Sequence, residues 1–119
     1  MNETASVWDG ARVRTWLERR LAAARLDQAA ADRRGYEAQD EYDTAAAEEW
    51  MCTALLRVDG IDDRQAFAAA IKALIGQEEY RATGVNDDAK FERHVRRHLR
   101  KVARMTKTNE GFEKTLRYQ

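Results

Sequence analysis

No proline occurs in this chain of 119 residues. Proline removes a backbone donor and clashes with the preceding helical turn, so a chain without it can stay helical until something else stops it. Glycine supplies the stops, at Gly35, Gly60, Gly76, Gly84 and Gly111. The 21 alanines and 16 arginines, with abundant Glu and Leu, favour helix by intrinsic propensity. Val, Ile and Thr never cluster in the alternation a strand requires. The expectation is an all-α, single-domain fold, a four-helix (or four-plus-one) antiparallel bundle.

Apolar spacing divides the chain into helices. The first is predicted from Asp9 to Arg34, with Val13, Leu17, Leu21, Ala24 and Ala31 on one stripe and Trp16 at its edge. Trp8 and Leu26 fall on the opposite face and read as contacts to a second neighbouring element or to another chain as a protein interface. The second is predicted from Tyr36 to Val58. There Ala47, Met51, Leu55 and Val58 form one row and Ala46, Trp50 and Ala54 another, with Asp59-Gly60 as the terminating turn. Cys52 reads as a small core residue. The third begins at Asp62, where Asp62 and Gln65 have the spacing of a capping box. It presents Phe67, Ala70, Ile71, Leu74 and Ile75, and ends at Gly76 or runs on through Tyr80 to Gly84. The fourth begins near Asn86 or Asp87 and carries Phe91, Val95, Leu99, Val102 and Met105. The bundle is assigned to residues 1–106. Residues 107–119 form a polar tail, loose or docked as a short helix through Phe112 and Leu116.

Alanine inflates the hydrophobic fraction of 44%. Setting Ala, Tyr and the lone Cys aside leaves 26 large apolar side chains, a modest core for four helices. No run approaches the ~20 apolar residues of a membrane span. The N-terminus lacks the basic start and apolar segment of a signal peptide, so a cytoplasmic protein is expected. One cysteine excludes an internal disulfide and multi-cysteine metal sites. No cofactor is expected.

The net charge of zero is a cancellation. Residues 1–34 sum to +2, residues 35–63 to −8, residues 64–90 to zero and residues 91–119 to +6. On the fourth helix Arg93, Arg97, Arg100 and Arg104 step by 4, 3 and 4, a straight basic stripe opposite the apolar face, with Arg96 beside it. Such a stripe suits a phosphate backbone or an acidic partner. The alternative is a solvated face neutralised by Glu37, Asp40, Glu41, Asp43, Glu48 and Glu49. Neutrality and the absence of interleaved aromatics weigh against a dedicated nucleic-acid binder. Arg outnumbers Lys 16 to 5, which together with the alanine content suggests a GC-rich coding sequence of actinobacterial or phage kind.

Three constellations bear on chemistry. Arg93-His94-Val95-Arg96-Arg97-His98 contains Arg-x4-His and resembles the active-site motif of HEPN-family ribonucleases, which are small all-α bundles. The resemblance covers six residues and the helical architecture. It implies metal-independent RNA cleavage, with Arg93 stabilising phosphate charge and His98 acting as acid or base, paired across a dimer. His94 and His98 also have the i, i+4 spacing of a two-histidine metal site, which the surrounding arginines oppose. Glu37-x-x-Asp40 with Asp59-x-x-Asp62 resembles the magnesium-binding carboxylate pairs of all-α nucleotide pyrophosphohydrolases, although the second pair straddles Gly60. Asp59, Asp62 and Asp63 do not make a calcium loop, because no twelve-residue pattern ending in Glu follows. No serine nucleophile elbow or phosphate-binding glycine loop is present.

The leading expectation is therefore a small, non-catalytic interaction module. It would associate with itself as a homodimer, or with another protein, through its segregated acidic and basic faces. Nucleic-acid binding through Arg93, Arg96, Arg97, Arg100 and Arg104 is the first alternative and a HEPN-like ribonuclease the second. No metal site and no membrane contact are expected.

Overall fold

The computed structural model describes residues 7–117. The fold is all-α, with five helices: α1 (Gly10–Arg34), α2 (Gln39–Leu56), α3 (Arg64–Ile75), α4 (Asp88–Lys107) and α5 (Asn109–Arg117). A single 3-10 turn, Tyr36–Ala38, joins α1 to α2.

Caps explain where the helices start. Asp9 is extended and its carboxylate accepts from the backbone N–H of Ala11 (3.0 Å) and Arg12 (3.3 Å), so α1 begins one residue later. Asp87 does the same for α4 through Lys90 N–H at 3.0 Å. At α3 the expected cap is displaced by one residue. Asp63, not Asp62, caps it, accepting from Gln65 (2.8 Å) and Ala66 (3.3 Å). Gly60, at φ 83°, closes a turn with Asp63 N–H on its carbonyl at 2.9 Å. That turn sets Asp63 at the helix entrance and packs Asp62 against Gly10.

α1 stops at Gly35, whose φ of 85° turns the chain back and whose N–H caps the carbonyls of Ala31 and Asp32. The tight link makes α1 and α2 an antiparallel hairpin, the most extensive packing in the molecule. α4 lies on the other side of α2 and carries α3 and α5 on its flanks. α2 is thus sandwiched, which accounts for its broad apolar face.

The core runs through every layer. Val13 and Leu17 of α1, Met51, Cys52 and Leu55 of α2, Phe67 and Ile71 of α3, and Phe91, Val95, Leu99, Val102 and Met105 of α4 form one cluster with Phe112 and Leu116 of α5. The C-terminal segment is therefore docked as the fifth helix, held by the pair four residues apart. Burial drives the Cys52 thiol up to about 12, with Glu48 adding to the shift, so it stays a protonated core side chain.

α3 ends at Gly76, and the chain folds back on itself. Tyr80 returns to donate its hydroxyl to the carbonyls of Leu74 (2.5 Å) and Ile75 (3.1 Å), the bare C-terminal end of α3. Its ring meets Trp50 edge-on at 4.9 Å and is buried. No helix of the described residues is long and apolar enough to cross a membrane.

Candidate nucleic-acid interface

The buried residues of α4 fix which way its charges point. Phe91, Val95, Leu99, Val102 and Met105 face the core. At about 100° per residue, Arg93, Arg97, Arg100, Lys101, Arg104 and Lys107 then fall within one outward arc of about 120°. All six are exposed, and none makes an ion pair or hydrogen bond with another described residue. From Arg93 to Lys107 the strip is about 21 Å long at 1.5 Å per residue. The arginine spacing alone omits Lys101 and Lys107, though each lies a helical step from a stripe arginine.

Arg96 departs from the sequence reading. It turns sideways, donating to the carbonyls of Ile75 (3.2 Å) and Gln77 (2.9 Å) and lying 4.9 Å over the Tyr80 ring. Glu92 pairs with it at 3.5 Å. A cation at the C-terminal end of a helix is favourably placed, and Arg96 serves α3 in that way.

The acidic segment neutralises other cations than the strip. Glu48 takes Arg20 of α1 in three contacts of 2.7–2.9 Å, and Glu49 takes Arg25 at 2.9 Å. Glu41 lies 3.7 Å from Arg34, and Asp40 pairs with Lys90 at the start of α4. Gln28 donates to Glu49 at 2.9 Å, and with Arg25 holds that carboxylate below its ordinary value. Asp43 is buried and accepts from Gln39 Nε2 at 2.7 Å. The −8 segment is thus largely engaged within the chain, mostly by α1, while the outer face of α4 keeps its charge.

The two histidines lie between these regions. His98 turns inward, its Nε2 donating to the Thr44 carbonyl at 3.2 Å. Burial lowers its pKa, against the opposing influence of Glu48. Both ring nitrogens of His94 are buried without a hydrogen-bond partner. Burial first, then Arg97 and Lys90, lowers its pKa as well. Arg93 points outward while His98 faces α2, so one chain does not bring the Arg-x4-His pair onto one phosphate. About 140° separates them on the helix. The described residues contain no group of three or more His, Cys, Asp or Glu that could hold a metal ion.

Trp8 and Leu26, paired as off-stripe residues, diverge. Leu26 is 71% exposed. Trp8 is not on the helix at all, since Asp9 is extended, and helical phase does not apply to it. Its ring packs against Phe67 (5.5 Å) and Phe112 (5.1 Å), and Arg64 lies 5.8 Å over it. It is an internal clamp between the α1 entrance, α3 and α5, a contact with neighbouring elements of the same fold and not the partner contact also expected of it. Comparison with protein-family models, curated proteins and solved structures finds no match for this chain.

Proposed function

We propose that this chain is a non-catalytic binding protein whose α4 lays its basic strip along the phosphate backbone of a nucleic acid. The observation that carries this reading is the uncompensated strip of Arg93, Arg97, Arg100, Lys101, Arg104 and Lys107 on a chain whose net charge is zero. Self-association of the acidic segment on the basic one has less to work with, because Asp40, Glu41, Glu48 and Glu49 already have partners within the chain.

An acidic protein is the less suitable polyanion. Stable protein interfaces are built around apolar or aromatic anchors. Among the described residues the exposed large apolar ones are Val7, Leu26 and Tyr36, none of them on α4. A phosphate backbone needs no such anchor. Nor does the strip offer an aromatic ring for base stacking, so recognition would rest on charge and be indifferent to sequence.

Fluorescence anisotropy with labelled duplex DNA and single-stranded RNA tests the proposal. Binding is expected at about 50 mM salt, with a log–log salt slope of about −4 to −5 on duplex if five or so phosphates are neutralised. The double charge reversal R97E/R100E should abolish it without unfolding the protein, since both side chains are exposed and have no partner among the described residues. No retention of either nucleic acid at that salt, or undiminished binding by R97E/R100E, overturns the reading.

A further inference from the structure

A cleft of about 460 Å³ opens where α1, α2, α4 and α5 meet. Its size falls in the range of roughly 300–1,000 Å³ typical of small-molecule sites. Trp16, Met51 and Val102 supply an apolar floor, extended by the aliphatic stems of the longer side chains around it. The rim is cationic: Lys101 and Arg104 from α4, and Lys114 from α5. Lys101 and Arg104 have no partner among the described residues, and Lys114 faces Glu110 across an exposed pair at 2.9 Å.

The one acid in the lining, Glu48, is already taken by Arg20, also a lining residue. The pair adds polarity and no net charge. His98 completes the wall beside it, anchored to Thr44. The fourth wall depends on Gly111. A Cβ there would fall inside the contact distance of the Arg104 carbonyl oxygen, so only glycine lets α5 sit this close to α4. An apolar floor under a rim with more cations than anions is complementary to one kind of ligand.

We propose that this cleft binds an amphipathic organic anion, with an apolar body of about ten to fifteen non-hydrogen atoms and a single carboxylate, sulfonate or phosphate. The apolar body lies over Trp16 and Val102, and the anionic group reaches Lys101, Arg104 and Lys114. The site shares Lys101 and Arg104 with the basic strip but not Arg93 or Arg97, so variants at those two arginines separate it from the nucleic-acid reading.

Isothermal titration calorimetry with three probes tests the proposal: 1-naphthylacetate, the cation 1-naphthylmethylammonium with the same ring, and acetate with the charge but no ring. Naphthylacetate should bind at least about tenfold more tightly than either of the others. Its amide chemical-shift changes should gather on the facing residues of α1, α2, α4 and α5. K101E/K114E should weaken binding about tenfold or more with the melting midpoint retained, since both side chains are exposed. R93E/R97E should leave it unchanged while impairing nucleic-acid binding. Equal binding of the anion and the cation, shift changes centred elsewhere, or no saturation by about 5 mM naphthylacetate overturns the proposal.

Discussion

Trp8 donates its indole N–H to the carbonyl of Ile61 at 2.9 Å, tying the entrance of α1 to the loop ahead of α3. The same ring lies on Phe67 and Phe112, so one side chain joins three helices. Trp8→Ala should therefore cost about 3 kcal/mol of unfolding free energy, and Leu26→Ala less than about 0.5 kcal/mol. Urea denaturation of the two variants measures both. A small loss at Trp8 would mean that the clamp adds little to folding.

That contrast shows how much the sequence revealed. Helical phase placed Leu26 off the core stripe, where it is exposed, and Val13, Leu17, Phe67, Phe91 and Leu99 in the core, because all lie inside regular helices. It failed at Trp8, one residue outside the extended Asp9, where no phase exists. It failed at Asp62 because two adjacent aspartates compete for one cap, and the Gly60 turn decides between them. The basic stripe was legible from i, i+4, i+7 spacing, but its meaning was not. Which carboxylates of the −8 segment were already engaged depended on how α1 folds back beside α2. Arg96 was indistinguishable from its neighbours until the Tyr80 loop gave it carbonyls to cap. The cleft draws on four helices far apart in sequence and had no linear signature.

The histidines give the fold an acid-sensitive component. Burial holds both imidazoles below their ordinary value of about 6.5. From that pH downward the unfolded chain takes up protons that the folded chain refuses, so stability is lost as the pH falls from 6.5 toward the folded values. Glu49, Glu110 and Glu113, held below their ordinary carboxylate value, extend the loss at lower pH. His98→Gln should flatten the pH 5–7 limb of the stability profile measured by thermal melts. An unchanged slope would place the pH dependence elsewhere.

His94 has a different expected outcome. Its two ring nitrogens are buried and unpartnered, a penalty that an apolar side chain of similar volume would remove. His94→Leu should leave stability unchanged or raise it by about 1 kcal/mol at pH 7, a rise of a few degrees in Tm by calorimetry. Burial, Arg97 and Lys90 outweigh Asp43 and hold the His94 pKa below its ordinary value, so the gain should grow as the pH falls below about 6.5. A loss above about 1 kcal/mol at pH 7 would show that His94 makes a contact its buried nitrogens do not reveal.

The Arg20–Glu48 pair joins α1 to α2 with side chains only 26% and 12% exposed. Breaking a buried pair leaves one charge stranded, whereas removing both partners together is often nearly neutral. Glu48→Met should cost about 2–3 kcal/mol, below the fully buried figure because the pair is partly solvated. The double variant R20M/E48M should recover at least half of that loss in a double-mutant cycle measured by urea denaturation. Additive losses would show that the two side chains act separately, through their packing against α2 and the cleft.

Gly111 bears on both the fold and the cleft. A Cβ at this position meets the Arg104 carbonyl oxygen and lies 3.0 Å from Thr108 Oγ1, which itself accepts from the Gly111 N–H at 2.8 Å. The obstacle is mostly backbone and cannot rotate away, so α5 must shift as a body. That displacement pulls Phe112 and Leu116 from sites where they are 0% and 8% exposed. Gly111→Ala should therefore cost about 1–3 kcal/mol despite alanine's better helix propensity. Hydrogen exchange should show the loss confined to α5 and the end of α4, with the α1–α2 hairpin still protected. The same variant should weaken naphthylacetate binding while leaving the strip from Arg93 to Arg100 able to hold nucleic acid. Uniform acceleration of exchange across all five helices would mean instead that α5 is an inseparable part of one cooperative core.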